Sequence, residues 1–182
     1  MAAAACAPAV RAQQQAGAQQ PAGAQQPAID SSWLSSDAAA KSAKFQLIAG
    51  LTTLNGALNF NGFDDGGLEL VIPVGWKVEM DFVNHDGMLP HSALVVAGTL
   101  PIDPAPTQPA IPRAYTVRVA EGIPPGGKDM MKFTADSAGS YFIVCGVPGH
   151  AVAGMWIRLR VSKTATKPKM EATPKPTDER GR

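Results

Sequence analysis

The chain is short of the residues that build staples and clusters. It has two cysteines and three histidines among 182 residues. Two cysteines cannot form the framework of a disulfide-stapled domain, and three histidines are too few for a site holding several metal ions. Charge is scarce as well. Asp, Glu, Lys and Arg make up 17% of the chain, against about 25% in an ordinary soluble domain. The net charge of +1 provides no general attraction to nucleic acid, so none is expected as a partner. No run of about 18 apolar residues occurs, so nothing in the sequence reads as a membrane-spanning helix. Glycine and proline, by contrast, are plentiful at 18 and 16 residues, which points to many turns and few long helices. The length allows one domain with tails or two very small ones.

Both ends read as tails. Residues 1–29 contain twelve Ala and seven Gln, and the hexamer Ala16 to Pro21 recurs at once as Ala22 to Pro27. Almost nothing there can bury a core, so 1–29 is expected to be a flexible tether. Cys6 follows a run of small residues. It reads as the remnant of a trimmed leader, with a lipid-attachment site, and hence a membrane tether, as the alternative. Residues 163–182 carry six basic and three acidic side chains and three prolines, and are expected to be a disordered basic tail. The stretch between, 30–162, has nine basic and twelve acidic residues. Overall near-neutrality therefore conceals a mildly acidic domain.

That domain reads as many short strands. Trp76, Val78, Met80 and Phe82 alternate with charged residues, a strand with one buried face. Leu68, Leu70 and Ile72 form another, and Phe45, Leu47 and Ala49 a third. Further strands are expected at Ser92 to Ala97, Tyr115 to Val119, Met130 to Phe133, Gly139 to Cys145 and Met155 to Val161. Eight or nine strands at this spacing predict an all-β sandwich. Ser36 to Lys41 resembles a short helix start. Residues 101–112 hold five prolines and form a long connection of a kind that is uncommon unless functional or mobile.

The chemistry gathers between the last two predicted strands. Cys145, His150 and Met155 follow one another at spacings of five on a single glycine-containing loop. Upstream, His91 opens another apolar strand. His85 competes with it as a second imidazole, but lies among turn residues beside Asp86. Two imidazoles, a thiolate and a distant thioether are the donor set of a mononuclear blue-copper centre. Thiolate and thioether suit Cu(I), while imidazole suits both oxidation states. A trigonal plane with a weak axial sulfur lies between the geometries the two states prefer, so little has to move when an electron passes.

At these residues the chain resembles a known family. Tyr141 to Trp156, YFIVCGVPGHAVAGMW, is similar to the copper loop of the cupredoxins, nearest to the sulfocyanins and alike in spacing to rusticyanin and auracyanin. Asn59 to Gly62, Val74 to Val78 and Pro90 to Ser92 also look like sulfocyanin, and the resemblance covers most of 43–162. It implies a Greek-key sandwich holding one type 1 copper, with His91, Cys145, His150 and axial Met155 as ligands. It implies Ser92, after the first histidine, as a donor that braces the Cys145 loop. It implies electron transfer outside the cytoplasm, usually in a respiratory chain, by a monomer whose partners are redox proteins of the cytochrome or terminal-oxidase class.

A closed site with no open position does no substrate chemistry, so no enzyme activity is expected. Met88, Leu89 and Pro90 on one side and Val147, Pro148, Ala151 and Val152 on the other predict a low-charge apolar docking patch around His150. Tyr141, Trp76 and Trp156 read as packing residues. The alternative is a copper-handling protein without an electron-transfer role, but the seven methionines are scattered. A dinuclear copper site would need a second cysteine where Gly149 stands, and zinc would make poor use of an axial methionine.

Overall fold

The computed structural model describes residues 27–176. The expected tether and Cys6 lie outside them, apart from Pro27, Ala28 and Ile29, and Ile29 packs against the core. Nine strands form two sheets. The first sheet runs β1 (Leu34–Asp37), β2 (Ser42–Ala49), β4 (Lys77–Asn84), β6 (Lys128–Thr134) in spatial order. The second runs β5 (Leu94–Ala97), β7 (Gly139–Val144), β8 (Trp156–Ser162), β3 (Leu68–Pro73), β9 (Lys169–Ala172). The all-β sandwich read from the alternation is what the chain forms. Parallel pairings of β2 with β4 and of β3 with β8 tie together strands distant in sequence.

Period two explains the core. Phe45 and Leu47 of β2 stand beside Met80 and Phe82 of β4 in register, with Met131 and Phe133 of β6 joining them. Leu68, Leu70 and Ile72 face them from the second sheet, with Ile143, Ile157, Leu159 and Val161. Full burial of side chains of this size stabilises by about 1.5–3 kcal/mol each. The outward residues carry the charge: Lys44 pairs with both Glu79 and Asp81, and Lys132 with Glu79. These pairs are exposed and contribute little.

Three expectations are corrected. Ser36 to Lys41 is no helix. Asp37 accepts from the amides of Ala39 and Ala40 at 2.9 and 3.0 Å, and this cap closes a turn between β1 and β2 instead. Tyr115 to Val119 forms no strand beyond one bridge to Leu94. Thr116 is buried, with its hydroxyl serving Ala93, while Tyr115 and Val117 are exposed.

The basic segment from residue 163 is not a free tail as far as the described residues go. Lys169–Ala172 adds β9 to the edge of the second sheet, antiparallel to β3. Met170 lies opposite Leu70 and packs against the core, and Arg160 bridges Glu69 and Glu171. The folded unit therefore extends past residue 162. Residues 177–182 lie outside the described set.

Candidate metal centre

Strand pairing brings the distant donors together. β7 runs antiparallel to β5 with Val144 opposite Leu94, so the end of β7 meets the start of β5. Cys145 follows the one and His91 precedes the other. β7 also pairs with β8 from Val144 and Trp156 onward, so residues 145–155 form a loop pinched at its base. There the Cys145 amide donates to the Met155 carbonyl at 3.1 Å. Inside the loop, His150, Ala153, Gly154 and Met155 amides bond back to Val147, Gly149, Ala151 and His150 carbonyls. The coil needs Gly149 at φ +86° and Gly154 at φ +99°, a region open to glycine and strained for other residues. The Pro-rich connection is built into this end, since the Pro104 carbonyl accepts from the Gly149 amide at 2.8 Å.

His91, Cys145 and His150 converge, with one donor atom from each lying within 4.8 Å of the others. Cys145 Sγ is 4.0 Å from His91 Nδ1 and 3.6 Å from His150 Nδ1. A metal bound at about 2.3 Å to sulfur and about 2.0 Å to imidazole nitrogen, with about 120° between the bonds, would separate these donors by roughly 3.7 Å. The spacing fits a trigonal site. Met155 is wholly buried and joined by its backbone to both Cys145 and His150. His85 is exposed at the end of β4 and is not part of the cluster.

The surroundings hold the donors ready. Burial pushes the Cys145 thiol up, while the amides of Ser92 and Val147 pull it the other way. A buried thiol keeps its proton until a metal displaces it. Burial also holds His91 and His150 below the usual histidine range, which keeps both imidazoles neutral at neutral pH, as ligation requires. Ser92 touches the cysteine through its backbone, the amide donating to Sγ at 3.4 Å. Its hydroxyl donates to the Val119 carbonyl at 2.6 Å and accepts from the Gly146 amide at 3.0 Å. With its one proton spent on Val119, that hydroxyl cannot also donate to the sulfur 3.9 Å away.

Asp86 was not among the residues singled out from the sequence. Its Oδ2 lies 2.9 Å from His91 Nε2, and the other oxygen accepts from the Met88 and Leu89 amides at 2.8 and 3.2 Å. Burial raises the carboxyl, but the hydrogen bonds from His91, Met88 and Leu89 together outweigh it and hold it below the usual carboxylate range. The available signal was an aspartate five residues before a candidate ligand histidine. Metal-bound imidazoles commonly rest their second nitrogen on such a group.

Of the expected docking residues, Met88 is 86% and Val152 55% exposed. Leu89 and Pro148 are exposed, and Pro90 and Val147 half-buried beside the half-buried His150. Gly122 lies between Pro90 and Val147, and the rings of His91 and His150 are 5.2 Å apart between centroids. Ala151 does not belong to this surface. The coil of the loop turns it inward, 1% exposed, among Leu94, Phe142, Val144 and Trp156. Trp76 and Trp156 are buried packing residues, and Tyr141 packs half-buried against the core.

Residues 31–171 match the Sulfocyanin (SoxE) domain family. The chain belongs to the sulfocyanin family. Sulfocyanin from Sulfolobus acidocaldarius is 32% identical over 117 residues, which are 60% of this chain and 58% of that protein. The chain thus matches less than two thirds of that relative's length. Among solved structures, a methionine-to-glutamine variant of rusticyanin is 26% identical with a TM-score of 0.52, covering 67% of this chain and 78% of that one. Another rusticyanin structure gives 24% identity and the same TM-score of 0.52 over the same shares, 67% and 78%. As in sulfocyanins and other cupredoxins, the cofactor is type 1 copper, and His91, Cys145, His150 and Met155 are positioned as its site. Membership of this family and the His91–Cys145–His150 cluster support a blue-copper electron carrier.

Proposed function

We propose that this chain is an electron carrier that moves single electrons outside the cytoplasm, in a respiratory chain, and that His91, Cys145, His150 and Met155 would hold its copper. The observation that supports this most is the convergence of two Nδ1 atoms and one Sγ at trigonal spacing beside a buried methionine. Bound copper supplies the Cu(II)/Cu(I) couple. The protein's part is to keep the donors in place in both states. The Ser92 amide fixes the sulfur, the Ser92 hydroxyl braces Gly146, and the Cys145–Met155 hydrogen bond shuts the loop. Four protein donors leave no coordination position for a substrate, which favours a carrier over an enzyme. The resemblance of the copper loop to extracytoplasmic cupredoxins supports the location. Among the described residues no helix is long and apolar enough to cross a membrane.

Electrons pass, in this reading, through the half-buried His150. Met88, Leu89, Pro90, Val147, Pro148 and Val152 form the docking surface for cytochrome- or oxidase-class partners, and the carrier works as a monomer. Docking on such a patch is transient and owes little to charge. Electron-transfer rates to a partner cytochrome should change less than roughly threefold as salt shortens the Debye length from about 30 to about 3 Å. Stopped-flow kinetics across that range checks this, and a steep fall with salt would show that docking is electrostatic.

A further inference from the structure

We propose that Asp86 is a positioning residue that joins the copper centre to the exposed Met88–Leu89 loop, one carboxylate oxygen serving each. The proposal rests on the reading that His91 ligates copper. His91 turns Nδ1 toward Cys145, so Nε2 carries the hydrogen and donates to Asp86 Oδ2 at 2.9 Å. Asp86 Oδ1 accepts from the Met88 and Leu89 amides at 2.8 and 3.2 Å. The carboxylate is held from behind. Its own amide donates to Asn84 Oδ1 at 3.0 Å, and Asn84 Nδ2 donates to the Leu89 and Ile123 carbonyls, both at 2.8 Å. A Cβ on Gly50 would lie 2.7 Å from Asp86 Cβ, so the glycine lets the chain pack closely against Asp86 on that side.

Two consequences follow from charge. A buried carboxylate on the far side of a ligand imidazole stabilises the more positive state of the centre, Cu(II), and lowers the potential. Linkage is reciprocal. Whatever factor the contact contributes in favour of Cu(II), oxidation returns to the contact. The same carboxylate anchors the loop that carries Met88, 86% exposed, so that loop is held more firmly in the oxidised protein. A partner thus meets a different docking surface before and after the electron moves.

Asp86→Asn in the copper-loaded protein tests this. The amide has no charge and one acceptor oxygen, so it cannot serve both His91 and the loop. The variant should stay blue, with the Cu(II)/Cu(I) equilibrium shifted at least about tenfold toward Cu(I), about 59 mV upward for one electron. In the wild-type protein, hydrogen exchange at the Met88 and Leu89 amides, read by mass spectrometry, should be slower when oxidised by a similar factor. Should the variant not fold, the wild-type exchange comparison decides alone. A blue variant with unchanged potential, or equal exchange in the two oxidation states, overturns the coupling. A wild-type protein that never turns blue with Cu(II) overturns the ligand assignment, and this proposal with it.

Discussion

Cys145→Ser should leave a folded protein that has lost its blue colour and most of its hold on copper. Cys145 is wholly buried at the top of β7, and its sulfur is met by the Ser92 amide at 3.4 Å. A serine hydroxyl is close in size and accepts the same hydrogen bond, so the loop has no reason to open. The Cys145 amide still closes the loop base on Met155. What disappears is the thiolate, the soft donor that makes the site suit Cu(I) and whose electrons give the colour. Affinity for Cu(I) should fall by more than the roughly 10–100-fold that loss of an outer partner costs a metal site. Competition with a chelator measures the affinity, and thermal unfolding of the apo protein checks the fold. Retention of the blue band in this variant would remove Cys145 from the site.

Met155→Gln should keep copper and colour but lower the reduction potential by at least about 59 mV, one factor of ten for a one-electron couple. Met155 begins the return into β8, fully buried, with its backbone fixed between His150 and Cys145. The substitution therefore changes the axial donor without moving the others. A harder oxygen in place of the thioether favours Cu(II) over Cu(I). Redox titration followed by the visible band gives the answer. An unchanged or raised potential would mean that Met155 serves only the core.

How far these features could be read in the chain depends on how local their causes are. Cys145, His150 and Met155 lie on one loop, so their spacing displayed three of the four candidate donors, while His91 had to be weighed against His85. The strands showed through period two wherever one face meets the other sheet, as in Phe45, Leu47, Met80 and Phe82. The tail from residue 163 misled because a four-residue edge strand needs little apolar alternation, and lysines are what exposed edges carry. In β9 only Met170 turns toward the core. Ala151 looked like surface because the loop around it is exposed. Its burial comes from the coil between Val147 and Met155, a shape set by backbone hydrogen bonds rather than composition. Asp86 stayed hidden for a tertiary reason: its partner is local, but its meaning depends on β5 carrying His91 to the end of β7. Tyr115 to Val119 alternates without forming a strand, because the bonds between Thr116 and Ala93 turn Thr116 inward and leave Tyr115 and Val117 exposed.

The central claim is that two imidazoles, one thiolate and one thioether of this chain hold a single redox-active copper. The visible absorption spectrum of the apo protein titrated with Cu(II), and then reduced, tests it most directly. The predicted result is an intense thiolate-to-copper band that saturates at about one copper per chain and bleaches on one-electron reduction. A protein that stays colourless with Cu(II) while binding zinc firmly at the same residues would contradict it.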